Sequence, residues 1–398
     1  MSPACPNCGT AERQGNALAA KPPEGEFAMA QPVPDIRALY PVISSILTRH
    51  GAEVRLGGLV SEPQRFEAQE AIAFSWDYGM RNAPLNRLYG LGKANQWKAE
   101  DLDWNTPVDV EQDLFEPDPA WLSADWYRRL TAREKRQIAT AYNTNIVSNF
   151  LHGEQGALIA ASQLISAVPD MDSKFYAATQ SMDEARHVEV FARYLNEKLG
   201  KTYEVTQNLF NLLQAITMES RWDFKFLGMQ LIVEGLALTA FMSLAKRCKE
   251  PLLKYLIRMV LQDESRHVAY GVLALKNFYT DMSEKDRLER QQFVYEATLM
   301  MQSRLVSGQI YEKMGLDRAV VSESMRNSSE TRDFRSLLYA NVVPNMKKVG
   351  LLDGFLAQKY AELDILKFQD VDTEQIIQGF IAESDRQRAA AVPAKQAG

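Results

Sequence analysis

The sequence predicts an all-α protein, a four-helix bundle with additional flanking helices. Three observations predict it. Long stretches carry apolar residues at helical spacing with no internal proline, strand signals are nearly absent, and one helical hairpin recurs with the same internal separations.

The elements follow in chain order. Residues 1 to 35 are rich in Ala, Pro, Gly and Gln and read as a disordered tail, ahead of a single helical domain over 36–398. Met29 stands just before the first patterned run, Pro34-Asp-Ile-Arg-Ala-Leu-Tyr, and is a second candidate for the functional start. Cys5 and Cys8 have the spacing of a zinc knuckle, but a closed zinc site takes four ligands and no second pair follows. His50 reads as a helix C-terminal residue. From Gly90 to Trp126 the chain sets Trp97, Trp104, Trp121 and Trp126 among Asp, Pro and Gly, an ordered irregular stretch whose aromatics act as packing anchors.

Thr131 and Glu134 form a capping signal that opens a helix running to Val168. A second helix is expected from about Asp172 to Leu199, closed by Gly200. A third spans roughly Thr206 to Cys248 with an interruption, and a fourth about Leu252 to Tyr279. A fifth is expected from Ser283 to Gly315, and shorter ones near 328–345 and 373–388.

Composition narrows the function. A chain of 398 residues with 46% hydrophobic content can bury a large core. Its net charge of −6 and scattered Lys and Arg supply no basic field, so nucleic acid is not an expected partner. No apolar run is expected to reach the ~18 to 20 residues of a membrane span, and the N-terminus lacks a signal-peptide plan. Three cysteines make no disulfide framework, and a cytoplasmic location is expected.

The second and fourth helices carry two near-copies, Asp183-Glu184-Ala185-Arg186-His187 and Asp263-Glu264-Ser265-Arg266-His267. Three residues apart, Glu and His share one helix face a turn apart, which suits a grip on one ion. One further glutamate precedes each copy in an apolar run, Glu154 and Glu234. Glu154 to Glu184 and Glu234 to Glu264 are both 30 residues, and the halves are offset by 80. In an antiparallel hairpin two residues lie level only if the turn is midway. The midpoints fall at Pro169-Asp170 and Lys249-Glu250-Pro251, so each lone glutamate meets its own Glu-x-x-His about 22 Å from the turn.

Four buried carboxylates this close do not all ionise unaided, and two divalent cations balance them. Oxygen and imidazole donors suit iron or manganese, singly or mixed. A lone Glu-x-x-His is ordinarily a solvated face; six residues in register are not. Of the four histidines, His152 lies two residues before Glu154 on roughly the opposite face, which argues against ligation.

These residues resemble the ferritin-like di-iron carboxylate superfamily over about 131–280, and within it the dioxygen-activating oxygenases, desaturases and ribonucleotide reductase small subunits. The resemblance implies a ferritin-like bundle with two iron ions held by Glu154, Glu184, His187, Glu234, Glu264 and His267. It implies Asp183 and Asp263 as partners of the histidine ring N–H groups, with Arg186 and Arg266 neutralising them; ordinary ion pairing explains both arginines equally well.

Departures sort the branches. Phe191 stands where radical-generating subunits carry a tyrosine, Leu238 with Thr239 beside it where the multicomponent monooxygenases have a threonine, Val260 where arylamine N-oxygenases add a histidine, and Met229 where ligand-binding oxidases have a tyrosine.

The expectation is an oxidoreductase that uses dioxygen to hydroxylate, N-oxygenate or desaturate a small organic substrate. Phe150, Ala157, Leu158, Phe191, Leu238 and Phe241 are candidates to line its pocket, or to serve as plain core. No flavin, nicotinamide or iron–sulfur fingerprint occurs, which calls for an external reductase or ferredoxin. A homodimer is compatible with all of this. The competing classes are a ferroxidase or storage protein, a radical-generating subunit and a metal-stabilised scaffold.

Overall fold

The computed structural model describes residues 36–304, 311–312, 314–328 and 336–391. The tail expected at 1–35, with Cys5 and Cys8, lies outside these. Among the described residues the regular elements are helices apart from one short ribbon, in which Leu59–Val60 pairs antiparallel with Val205–Thr206.

The helices that precede the bundle include α1 (Pro41–Arg49) and α2 (Ala83–Ala94). The bundle begins with α3 (Ala132–Ala167), 36 residues and so about 54 Å long. Its start is the expected capping box: the Thr131 N–H donates to Glu134 Oε2 at 2.8 Å, and the Glu134 N–H donates to Thr131 Oγ1 at 3.3 Å. Helix α4 (Met171–Tyr194) is capped by Asp170, which accepts from the Ser173 N–H at 2.8 Å. It runs on through one π-helical turn, Leu195–Leu199, and stops at Gly200, whose φ of 65° is the left-handed conformation glycine tolerates best.

The expected interruption of the third helix is present. Helix α5 (Gln207–Met218) ends, Glu219 to Arg221 turn the chain, and α6 (Trp222–Arg247) enters the bundle. Its middle, Phe226–Glu234, is π-helical, the wider winding that recurs at functional sites. Helix α7 (Pro251–Leu275) has a buried cap: Glu250 accepts the Leu252 and Leu253 N–H groups at 2.6 and 2.7 Å and the Tyr194 hydroxyl at 2.8 Å. One carboxylate thus starts the fourth bundle helix and fastens it to the second.

The absence of a membrane-length apolar run needs correction. By length and composition α6 is apolar enough to cross a membrane, with a window of mean hydropathy 1.6. That window is 83% buried inside the protein, because α6 is the helix the others surround.

Helix α8 (Glu284–Arg304) packs against α5 and the π segment of α6. The remainder of the fifth expected helix includes residues 305–310, outside the description. Helix α9 (Arg318–Asn327) was not anticipated. Near 328–345 the described residues hold a 3-10 turn, Tyr339–Asn341, and α10 (Val343–Lys348). Then come α11 (Gly354–Glu362) and α12 (Thr373–Ala391), the latter where a helix over 373–388 was expected.

The bundle helices approach closely where glycine permits. A Cβ at Gly271 of α7 would meet Gln230 Cβ of α6 at 2.8 Å, so these two backbones touch beside the acidic cluster.

Candidate metal centre

Each half contributes one glutamate from its first helix and a Glu-x-x-His from its second: Glu154 on α3 with Glu184 and His187 on α4, Glu234 on α6 with Glu264 and His267 on α7. All six are buried, between 0 and 6% exposed. Their donor atoms form two groups, Glu154–Glu184–His187–Glu264 and Glu184–Glu234–Glu264–His267, within each of which the atoms lie no more than 4.8 Å apart. Glu184 and Glu264 belong to both groups. The centre therefore has two four-donor positions joined by two shared carboxylates.

The imidazoles are oriented alike. His187 Nδ1 faces the carboxylates, 3.0 Å from Glu264, 3.3 Å from Glu154 and 3.5 Å from Glu184. His267 Nδ1 lies 3.0 Å from Glu184 and 3.6 Å from Glu264. Each Nε2 points outward to an aspartate. The pairing is crosswise: His187 Nε2 meets Asp263 at 3.1 Å, and His267 Nε2 meets Asp183 at 3.3 Å. Each aspartate thus serves the histidine of the other hairpin rather than its own.

Arg186 bridges both aspartates, donating to Asp183 at 2.6 Å and Asp263 at 2.8 Å. Arg266 pairs with Asp263 and lies 3.8 Å from Asp183. Two arginines and two aspartates neutralise each other. Among the described residues no arginine or lysine is paired with the four inner glutamates, whose carboxylates meet only the two imidazoles and Gln180, and two divalent cations would balance them.

Residues the motif reading passed over complete the surround. The Trp97 indole N–H donates to Asp263 at 2.7 Å, and the ring lies 4.6 Å from the Arg186 guanidinium. Gln96 donates to Asp183 at 2.8 Å and accepts from Arg186 at 2.8 Å. Both follow α2, which packs on α4 and α7. Gln180 donates to Glu184 and to Glu234, each at 3.0 Å, tying carboxylates of the two halves together. Its place one turn before Glu184 is a signal available in the sequence; nothing local singles out Trp97 from the other tryptophans.

The electrostatics express strong competition for positive charge. Burial, with Glu264 adding to it, pushes Glu154 and Glu234 well above the usual carboxylate range. Burial also opposes ionisation of Glu184, but His267 and His187 outweigh it and hold that carboxyl well below its ordinary value. Burial alone would depress both imidazoles. Instead, hydrogen bonds donated to Asp263 and the glutamates raise His187, and Glu184, Glu264 and Asp183 raise His267.

The residues fit a pair of metal ions. Glu184 Oε2, Glu234 Oε2, both Glu264 oxygens and His267 Nδ1 are buried with no hydrogen-bond partner among the described residues. Orphaned acceptors at the centre of a core cost about 1–3 kcal/mol each unless something else binds them. An all-oxygen-and-imidazole donor set suits hard or borderline cations.

Phe150, Phe191 and Phe241 pack as a triad, with centroids 4.3 Å apart for Phe150–Phe241 and 6.0 Å for the other two pairs. Along α4, Phe191 lies one turn past His187, whereas Gln180 lies one turn before Glu184. Ala157 and Leu238 are buried, whereas Leu158 is half-buried. The Thr239 hydroxyl is engaged by Asn341, which donates to it at 2.7 Å. His152 Nε2 donates to the Tyr203 carbonyl at 2.8 Å and joins neither group of donors.

A family model described as P-aminobenzoate N-oxygenase AurF matches residues 80–350. Among solved structures, the R2-like ligand-binding oxidase from Sulfolobus acidocaldarius is 20% identical over 68% of this chain and 92% of its own, with a TM-score of 0.42. The ribonucleotide reductase R2 subunit from Clostridium botulinum is 12% identical over 83% of this chain and 99% of its own, with a TM-score of 0.48.

Proposed function

Because the chain belongs to the P-aminobenzoate N-oxygenase AurF family, we propose that it is a di-iron enzyme that uses dioxygen to oxidise a small organic substrate, with Glu154, Glu184, His187, Glu234, Glu264 and His267 as the ligands. The observation that carries this reading is the pair of four-donor groups sharing Glu184 and Glu264, with inward oxygens that no protein donor satisfies. Family membership supports di-iron oxygenase or oxidase chemistry and so favours iron over manganese; the donor set supports two metal ions.

A bound iron pair supplies reduction of dioxygen and delivery of an oxygen atom to the substrate. The protein's share is organisation. Asp263 and Asp183 accept the Nε2 protons of His187 and His267, which fixes the tautomer and leaves each Nδ1 lone pair facing the carboxylates. Gln180 holds Glu184 and Glu234 in place by donating to both. Burial of all six ligands excludes bulk water.

Oxidation of an aromatic amine is the finer reading, taken from the matched family's description. The phenylalanine triad supports it as an apolar, aromatic wall one turn along the bundle. Electrons then come from a separate reductase or ferredoxin, as no flavin or nicotinamide motif is present.

The test combines metal analysis with reactivity. Wild-type protein is expected to hold about two irons per chain and Glu234→Ala fewer. Ferrous protein mixed with dioxygen is expected to give a transient visible band and, with arylamines and a reductant, oxidised product. Equal metal in both proteins would sink the ligand assignment; slow mineral growth without product would sink the oxygenase reading.

A further inference from the structure

The loop after α1 and the start of α5 enclose a pocket of about 500 Å³ that has no part in the metal centre. Its wall is drawn from the chain between Gly51 and Gln64, and its floor is one face of α5, where Gln207, Phe210 and Gln214 recur at helical spacing. The fold holds the wall in place. Leu59–Val60 pairs with Val205–Thr206 directly ahead of α5, the Gln207 N–H donates to the Gly58 carbonyl at 3.1 Å, and the Asn211 amide donates to the Arg55 carbonyl at 2.6 Å. Sites for small molecules span about 300–1,000 Å³, so the volume suffices.

Gln214 gives the pocket its chemistry. It is 8% exposed and lines the floor. Its main-chain carbonyl takes the Thr217 hydroxyl at 3.2 Å, while its side-chain amide meets no partner among the described residues. An amide this deep, with donor and acceptor both unmet, is costly unless a molecule in the pocket meets them. Phe210 stands one turn earlier on the same face, half-buried. At the mouth are the exposed Glu53, Arg55 and Glu62, which have no ion pair among the described residues.

We propose that this pocket binds an adenine nucleotide carrying a single phosphate. A base stacked on the Phe210 ring turns its edge toward the side chain one turn along, which is Gln214. A glutamine amide pairs bidentately with adenine, donating to N7 and accepting from the N6 amine; guanine offers two acceptors on that edge and leaves the amide oxygen unmet. Carboxylates suit ribose hydroxyls, a role open to Glu53 and Glu62. Arg55 is the one cation in the lining, and against two carboxylates it suits one phosphate rather than three. The floor also backs the metal centre. Leu213, beside Gln214, lies 2.5 Å from where a Cβ on Gly156 would sit, and Gly156 follows Glu154 by two residues.

Calorimetric titration of the full chain tests this, with no dependence on the reaction assigned to the metal centre. Adenosine monophosphate is expected to bind saturably below about 1 mM, and guanosine monophosphate about 10-fold more weakly or worse. Gln214→Leu is expected to weaken adenosine monophosphate about 10- to 100-fold. Arg55→Ala, at an exposed side chain, is expected to weaken it about 10-fold and to leave adenosine itself unchanged, with circular dichroism and iron content as in wild type. Should Gln214→Leu not fold, the guanosine comparison and Arg55→Ala decide. No saturation by about 1 mM, equal affinity for the guanosine compound, or an affinity for adenosine monophosphate that either folded variant leaves unchanged each overturns the proposal.

Discussion

At the residue scale, the instructive pair is Asp183 and Asp263. Their types and positions beside the histidines were legible in the sequence, but the crosswise choice of partner was not. Spacing along one helix says which face a residue takes and nothing about which facing helix it meets. Asp263 gathers His187, Arg186, Arg266 and Trp97, and its carboxyl is held well below the ordinary range because the charge and hydrogen bond of His187, with the two arginines, outweigh burial. Asp263→Asn leaves an amide where a full charge stood. The expected outcome is a 10- to 100-fold loss of iron affinity in a competition titration, with helicity retained. Unchanged affinity would remove Asp263 from the ligand-orienting role. Gln180 and Trp97 were missed for different reasons: Gln180 shows only as a polar residue one turn from a ligand, and Trp97 reaches the centre from a segment without periodicity.

At the element scale, the four bundle helices and their caps followed from periodicity, proline and glycine, since those signals act within a few residues. The irregular interior of α6 did not. Nine residues of π-helix ending at Glu234 depend on neighbours such as Ile216 and Phe293, which lie within 2.5 and 3.2 Å of where a Cβ on Gly228 would sit. The break ahead of α6 carries a pH signature. Burial would raise the Glu219 carboxyl, but its hydrogen bonds from Arg221 and the nearby Arg49 win and hold it at about 2. A depressed acid contributes stability above its unfolded value near 4.5, and that contribution is lost as pH falls toward 2. The melting-temperature gap between wild type and Glu219→Gln is therefore expected to be widest above pH 5 and to close below pH 3. A gap independent of pH would mean that packing, not charge, is what Glu219 supplies.

At the scale of the whole molecule, the bundle is assembled around groups that repel one another in the absence of positive charge. Binding that favours only the folded state stabilises it by about 4 kcal/mol at a thousandfold excess over the dissociation constant. Ferrous iron added anaerobically to chelator-treated protein is thus expected to raise the melting temperature by several degrees in calorimetry, and the same addition to Glu234→Ala much less. Architecture was legible because duplication wrote it twice: equal offsets of 80 residues are a statement about the whole fold that no single helix makes.

The exchange of aspartates between hairpins has a consequence for how this chain can change over time. Although the halves look like a gene segment copied end to end, neither copy retains a complete set of supports for its own imidazole. Divergence in one is judged by its sister, and cutting the chain into its two repeats would yield two orphans rather than two smaller enzymes.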